Sequence, residues 1–403
     1  MGILDLFRGS KDERIAKRLM SEFRAQGDKR RMEFVADDQM VVIFAADGKR
    51  DGIQNLANLK HQLESSPASL HDGIYQRFVQ VQLDLSLSQP TSYADARSKL
   101  FIALRDVAYG ERTHLLRLNA LDNSAPKPML SRPFAGDVAA FPVLDRELGL
   151  DYVAEDMLEG WGVSVDQVME DAFVNTRNMR FTAESAQSLL FIKGPDAYNV
   201  SCMACEDAIR ALPVKGFPVA APATRDSLSI TGSDDLPGLE LLAQIFEAEL
   251  SGGNRHVSGR PLVLTPMGWQ SFEPPEALRD RFLNIARRYD VQFWSDYKEM
   301  LEKHLAGNNE DIFVASLSLF ERSADKSMFT AVVWSAGVDT ILPPADHVYF
   351  YDEESGGKRE ASWEDVTRVM GSDMQEMDGA PRRYRVREFP TDSQFLEMAA
   401  KKV

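Results

Sequence analysis

Residues Val165–Met179 carry the plainest periodic signal in the chain. Val165, Val168, Met169, Ala172, Phe173, Thr176 and Met179 recur at steps of three and four, which puts them on one stripe of an α-helix that must be covered by something apolar. Ser164 stands where such a helix needs its N-cap. Further helical stripes lie in Lys11–Gln26 (Ile15, Leu19, Phe23), Ile53–Glu64 (Leu56, Leu59, Leu63) and Leu70–Leu85 (Ile74, Phe78, Val81). Tyr109–Asn119, Cys205–Leu212 and Leu236–Leu250 also read as helices. Short β-rich runs alternate with them: Met32–Val35 and Met40–Phe44 as a hairpin, then Leu100–Leu104, Val138–Leu144, Leu189–Lys193, Phe217–Ala221, Ser227–Thr231 and Leu262–Thr265. The pattern predicts an α+β fold of mixed helices and short, mostly antiparallel strands.

A chain of 403 residues with this mixture is expected to form more than one domain. Pro274 and Pro275 interrupt it, and the sequence beyond them changes to charged helical character. The expected division is a basic amphipathic helix arm over 1–30, an α+β domain over 31–274, and a smaller α+β domain over 275–403. In the last, Ala277–Lys303 reads as two helices broken near Asp290. Phe313–Phe320 and Phe329–Ser335 read as an antiparallel pair joined around Asp325 and Lys326. Tyr349–Tyr351 and Tyr384–Phe389 read as strands, and Thr391 with Gln394 as a capping box for a helix through Ala400. Asn123–Pro133, with three prolines, reads as a loop.

Composition narrows the classes. Hydrophobic residues at 44% and charged residues at 27% are the balance of a folded chain. A net charge of −16 repels nucleic acid and anionic membrane in bulk. The basic residues concentrate at the start: Met1–Arg31 has a local charge of +4, leaving −20 on the remainder. Ile3, Leu4, Leu6 and Phe7 need cover, but Leu6 breaks the myristoylation pattern, and the first ten residues lack the features of a secretory signal. With two closely spaced cysteines and no disulfide framework, a cytoplasmic setting is expected.

Few residues suggest chemistry. Cys202 and Cys205 form a C-x-x-C at a helix start, where a dipole would lower a thiol pKa; a redox role competes with two small side chains packing a core. Thr231–Asp235 links a strand to a helix, and its adjacent Asp234 and Asp235 suit an N-cap better than a phosphate or a cation. Arg383, Arg385 and Arg387 alternate with Tyr384 and Val386, so on a strand all three guanidinium groups share one face and could take an anionic ligand, or else pair with carboxylates of the chain. Asn175, on the flank of its helical stripe, reads as a buried hydrogen-bonding residue that pins a loop. The six histidines are scattered, and no nucleotide-binding, zinc or serine-nucleophile motif is present, so no catalytic residue, metal ligand or cofactor is assigned.

Over Val143–Met179 the residues Leu158, Gly162, Gln167, Val168, Glu170, Ala172, Asn175 and Arg177, with Arg225-Asp226-Ser227-Leu228 and the later Ala243-Gln244, resemble the YtpQ-like bacterial proteins, a domain family of unknown function. The resemblance covers about residues 31–274. It implies a bacterial cytoplasmic protein, marks Asp226 as a polar structural position, and brings no activity. From the absence of catalytic motifs, the uneven charge and the many aromatic and Met residues, the expectation is a non-catalytic binding protein whose partner is another protein, without nucleic acid or a membrane anchor. The competing expectations are an enzyme or sensor for an anionic small molecule using Arg383–Arg387, and a thiol redox protein using Cys202 and Cys205.

Overall fold

The computed structural model describes residues 10–87, 92–120, 127–146, 149–195, 197–252, 255–323, 326–399 and 401–402. Ile3 to Phe7, Asp325 and Ala400, and residues 123–126 of the expected loop, lie outside these. The fold is α+β, built on several mostly antiparallel sheets. Contacts divide the chain into two compact units, Met1–Ala103 with Leu116–Leu130 and Phe141–Thr176, and Leu104–Leu115 with Ser131–Ala140 and Arg177–Val403. Pro274 and Pro275 thus lie inside the second unit.

The first unit opens on α1 (Lys11–Ala25), whose cap is Ser10 accepting the Glu13 N–H at 3.0 Å. Its buried stripe, Ile15, Leu19 and Phe23, packs with Met32, Val41 and Ile43 of an antiparallel sheet, β1 (Arg31–Val35), β2 (Met40–Phe44) and β3 (Arg50–Asn55). The same core takes Leu59 and Leu63 of α2 (Ala57–Glu64) and Tyr75 and Val79 of α3 (His71–Leu87), so the basic helix docks on its own unit. The expected start of a helix at Ile53 is corrected. Ile53 lies opposite Val42 in the sheet, and the Asn55 side chain accepts the Ala57 N–H at 2.7 Å, which opens the helix only there.

Next come α4 (Tyr93–Arg97), β4 (Leu100–Asp106), α5 (Tyr109–Ala120), β5 (Arg132–Ala135), β6 (Val138–Asp145), β7 (Leu150–Tyr152), α6 (Glu155–Trp161) and α7 (Val165–Arg177). On α7 the expected stripe is buried at Val168, Met169, Ala172 and Thr176, and Ser164 caps it through the Gln167 N–H. Asp171 is buried on the same helix. It accepts hydrogen bonds from the Tyr93 hydroxyl (2.7 Å), Arg97 (2.9 Å) and Gln167 (3.0 Å), tying α4 to α7. Burial alone would raise its pKa, but these three donors outweigh it and hold the carboxyl below its ordinary value.

In the second unit β8 (Thr182–Ala186), β9 (Leu189–Lys193), α8 (Glu206–Arg210), β10 (Pro218–Ala221), β11 (Ser229–Gly232), α9 (Leu236–Gly252), β12 (Leu262–Thr265) and β13 (Gly268–Ser271) follow in order. The strands form one antiparallel sheet, β13-β12-β10-β11-β9-β8. The next helix, α10 (Glu276–Gly307), is one 32-residue element. The break expected near Asp290 does not occur: the segment contains neither Gly nor Pro until Gly307, and an arginine neutralises the Asp290 charge. Leu278, Phe282 and Ile285 of α10 pack with Val219, Leu242 and Phe246 in one core. Trp294, Tyr297, Leu301 and Leu305 pack in another.

That second core belongs to β14 (Phe313–Val314), β15 (Ser318–Glu321), β16 (Met328–Ser335), β17 (Thr340–Leu342), β18 (His347–Asp352), β19 (Gly357–Ser362), α11 (Trp363–Met370), β20 (Met374–Glu376), β21 (Tyr384–Val386), α12 (Asp392–Glu397) and β22 (Lys401–Lys402). Their sheets run β15-β16-β18-β19-β22 and β14-β17-β21-β20. The expected pair from Phe313 to Ser335 forms only between β15 and β16, while β14 joins β17 in parallel. Ala315 marks the departure, since its N–H bonds to Ile341 and its carbonyl accepts the Trp294 indole N–H at 2.7 Å. The expected capping box of Thr391 and Gln394 is present.

Candidate binding cleft

One face of α10 carries Glu276, Arg279, Leu283, Arg287 and Asp290 at steps of three and four, a line about 21 Å long at 1.5 Å per residue. This line borders a cleft of about 800 Å³. Facing it are the chain from Ser271 to Pro275 that follows β13, Arg260 with Pro261, Thr330 of β16, and Pro344 to Asp346.

Two forked ion pairs tie α10 to the facing walls. Arg287 donates to both oxygens of Asp346, at 2.9 and 3.1 Å, and Asp346 also accepts the Thr330 N–H at 2.7 Å and its hydroxyl at 2.9 Å. Burial would raise the Asp346 pKa, but Arg287 and Thr330 together bring it below the ordinary value. Arg260 grips Asp290 in the same way, at 2.9 and 2.6 Å. Its Nη1 reaches Asp137 as well, at 3.3 Å. Burial opposes the Arg260 charge, yet the two carboxylates prevail and raise its pKa.

Arg260 owes its place to close packing. A Cβ on Gly259 would lie 2.5 Å from the Cβ of Tyr289 on α10, so only glycine lets the bend ahead of β12 come this near. The Tyr289 hydroxyl donates to the Val257 carbonyl at 3.3 Å. Asp137 arrives from the β5–β6 hairpin turn, where Gly136 adopts a φ of +54°. Its carboxylate accepts a hydrogen bond from the Ser258 hydroxyl, which in turn accepts the Arg260 N–H at 2.9 Å.

The Arg260–Asp290 pair also borders a pocket of about 250 Å³, lined by Asp137, Arg260, Asp290, Pro344 and Arg382 together with aromatic and apolar side chains. The Asp137 side chain is 20% exposed and lines this pocket. Burial pushes its carboxyl pKa up, with Arg260 and Ser258 pulling the other way.

The residues singled out from sequence lie elsewhere. Arg383 precedes β21 and meets Glu111 at 2.6 Å, whereas Arg385 and Arg387 share Asp339, at 2.7 and 3.3 Å. All three guanidinium groups are engaged by carboxylates. Asp339 is held below its ordinary pKa, chiefly by the Arg385 hydrogen bond. Asn175 donates to the carbonyls of Arg97 and Leu100, both at 2.8 Å, and so pins the turn into β4. Asp226 accepts from Asn199 through its carbonyl (2.6 Å) and from Arg255 through its side chain (3.2 Å), in a surface turn. Asp235 is buried ahead of α9 with Lys215 at 3.3 Å. Among the described residues no group of three or more His, Cys, Asp or Glu is placed to hold a metal, and no helix is long and apolar enough to cross a membrane.

Cys202, in a 3-10 turn, and Cys205, which precedes α8, are buried and form no disulfide. The expectation of a lowered thiol pKa at this helix start is corrected: burial pushes Cys202 up to about 12 and Cys205 up to about 11. α8 has only five residues, too short for its dipole to offset desolvation. A thiol-reactive disulfide reagent at pH 8 is expected to label neither cysteine in the native protein and both after unfolding in guanidinium. Rapid native labelling would show an activated thiol. Changing either cysteine to Ala should cost about 1 kcal/mol, the order of one small buried group.

None of the cleft residues was singled out from sequence as a binding residue; Pro274, Pro275 and Asp290 were read only as breaks in the chain. The available signal was the Arg287-to-Asp290 step on one helix face next to the double proline. Comparison with models of known families, with curated proteins and with solved structures gives no match.

Proposed function

We propose that this is a non-catalytic binding protein that acts through protein contacts, and that the cleft along α10 receives an extended, basic segment of its partner. The observation that carries this reading is how the cleft disposes of its charges. Arg260 and Arg287 are each neutralised within the chain by a forked aspartate, so the interior presents Pro261, Phe272, Leu283 and Pro344 to a guest. At the rim Glu273, Glu276 and Arg279 are exposed and have no ion-pair partner among the described residues. That surplus of one negative charge, on a chain of −16, favours a cationic guest. A face about 21 Å long accommodates about six residues of extended chain. On the resemblance over residues 31–274, the setting we propose is the bacterial cytoplasm.

Selection from a random nine-residue peptide library on the full-length protein tests the reading. Leu283, 42% exposed, can become Trp without disturbing either core, and the new ring would stand in the cleft. Selected peptides should be rich in Lys or Arg and should lose at least tenfold affinity for Leu283→Trp, with its melting temperature unchanged. Peptides that bind both proteins equally, or a library that yields none, would overturn it.

A further inference from the structure

We infer that the 250 Å³ pocket beside the cleft is a socket for an organic cation on an apolar stem, an ammonium or guanidinium group, with Asp137 as its counter-ion. The inference deepens the reading above and rests on it for the source of the cation.

The argument begins with pairing the charges around the pocket by their shortest contacts. Asp290 takes the fork of Arg260, at 2.9 and 2.6 Å. Asp106, buried close in sequence to Val107 of the wall, takes Arg112 at 2.6 Å. Arg382, at the mouth, takes Glu376 at 3.2 Å. Asp137 is left with a share of Arg260 at 3.3 Å, on a nitrogen already bonded to Asp290, and with the neutral hydroxyl of Ser258. It is the one carboxylate of the pocket wall whose nearby cation is committed elsewhere. Burial holds its carboxyl above the ordinary pKa, which is what incomplete neutralisation in a poorly solvated place produces.

The cavity supplies the second, independent observation. Apart from Arg382, which is paired with Glu376, its remaining wall is aromatic and aliphatic, with Val107, Tyr289, Phe293, Trp294 and Leu317, and favours an aliphatic body. Trp294 directs its indole N–H away, to the Ala315 carbonyl. The two arginines of the lining, Arg260 and Arg382, are already paired with Asp290 and Glu376, so an entering anion would meet the Asp137 carboxylate without a spare cation, at a cost that grows as water is excluded. An entering cation completes the charge balance. The pocket and the cleft share Arg260, Asp290 and Pro344, so a guest lying along α10 has the socket at its side.

Two sources offer this chemistry, a Lys or Arg side chain of the bound segment and a free amine. Calorimetric titration of the full-length protein with n-butylammonium, n-butanol and butyrate tests the socket without any variant. The ammonium should bind at least tenfold more tightly than either of the others. Asp137→Asn, which keeps the shape of the side chain, should remove that preference, whereas Asp339→Asn, outside the pocket, should leave it intact. Equal binding of alcohol and amine, tighter binding of butyrate, or a preference that survives Asp137→Asn would overturn the socket. In the second arm, a cleft-selected peptide is compared with its twin carrying norleucine for lysine. If the twin binds as well, yet Leu283→Trp abolishes both, the cleft reading stands and the socket falls. If the ammonium preference is present while no peptide binds, the socket stands, its guest is a free amine, and the peptide reading falls.

Discussion

Replacing Glu111 by Ala is expected to lower the stability of the second unit by about 3–5 kcal/mol, the cost of leaving a buried charge without its partner. Glu111, on α5, gathers three donors from distant parts of the chain: the Tyr297 hydroxyl at 2.6 Å, Arg383 at 2.6 Å and the Ala380 N–H at 2.8 Å. The Arg383 side chain is only 7% exposed, and its guanidinium lies 5.4 Å from the centre of the Tyr297 ring. Without the carboxylate, that charge would keep the Pro381 carbonyl, at 3.0 Å, and the face of the Tyr297 ring, with no anion paired to it among the described residues. Glycine at 379 is part of the arrangement, since a Cβ there would stand 2.2 Å from a Glu111 oxygen, and its φ is +88°. The measurement is the urea midpoint of wild type, Glu111→Ala, Arg383→Ala and the double variant. The double variant should be less destabilised than the sum of the singles. Additive effects, or a loss below 1 kcal/mol for Glu111→Ala, would show that the contact is incidental.

The second large effect is expected from Ala286→Pro in the middle of α10. Proline removes a helix hydrogen bond and clashes with the preceding turn, at about 3 kcal/mol or more. Ala286 is 6% exposed, next to Ile285, and the helix continues beyond it to Trp294 and Tyr297. A kink here should loosen both cores that α10 serves. Hydrogen exchange reads this directly: amides of β10 in the first core and β16 in the second should lose protection together. Retained protection in β16 with loss in β10 would instead support the independent folding units expected on either side of Pro275.

How far the sequence is readable follows from where each signal resides. Helices α1 and α7 were legible because their stripes and their caps, Ser10 and Ser164, are encoded within a few residues. The capping box of Thr391 and Gln394 was legible for the same reason. β3 was not, because Ile53 fits a helical stripe with Leu56 as well as a strand partner to Val42, and only the neighbouring strand decides. The cleft was illegible for a stronger reason. Asp137, Arg260, Asp290 and Asp346 are spread over two hundred residues, and each is an ordinary surface charge until the fold assembles them. Arg383, Arg385 and Arg387 were visible as a row, but Glu111 and Asp339, which engage them, were not.

The 32 residues of α10 also bear on ancestry. A gene break at Pro275 would look natural on paper, yet it would hand Leu278, Phe282 and Ile285 to one descendant and deprive the other of part of its core. The segment after Pro275 therefore cannot travel between proteins as a cassette unless its recipient already offers a surface for those three side chains. A join after Gly307 would fare no better, since Trp294, Tyr297, Leu301 and Leu305 of the same helix belong to the core that follows it.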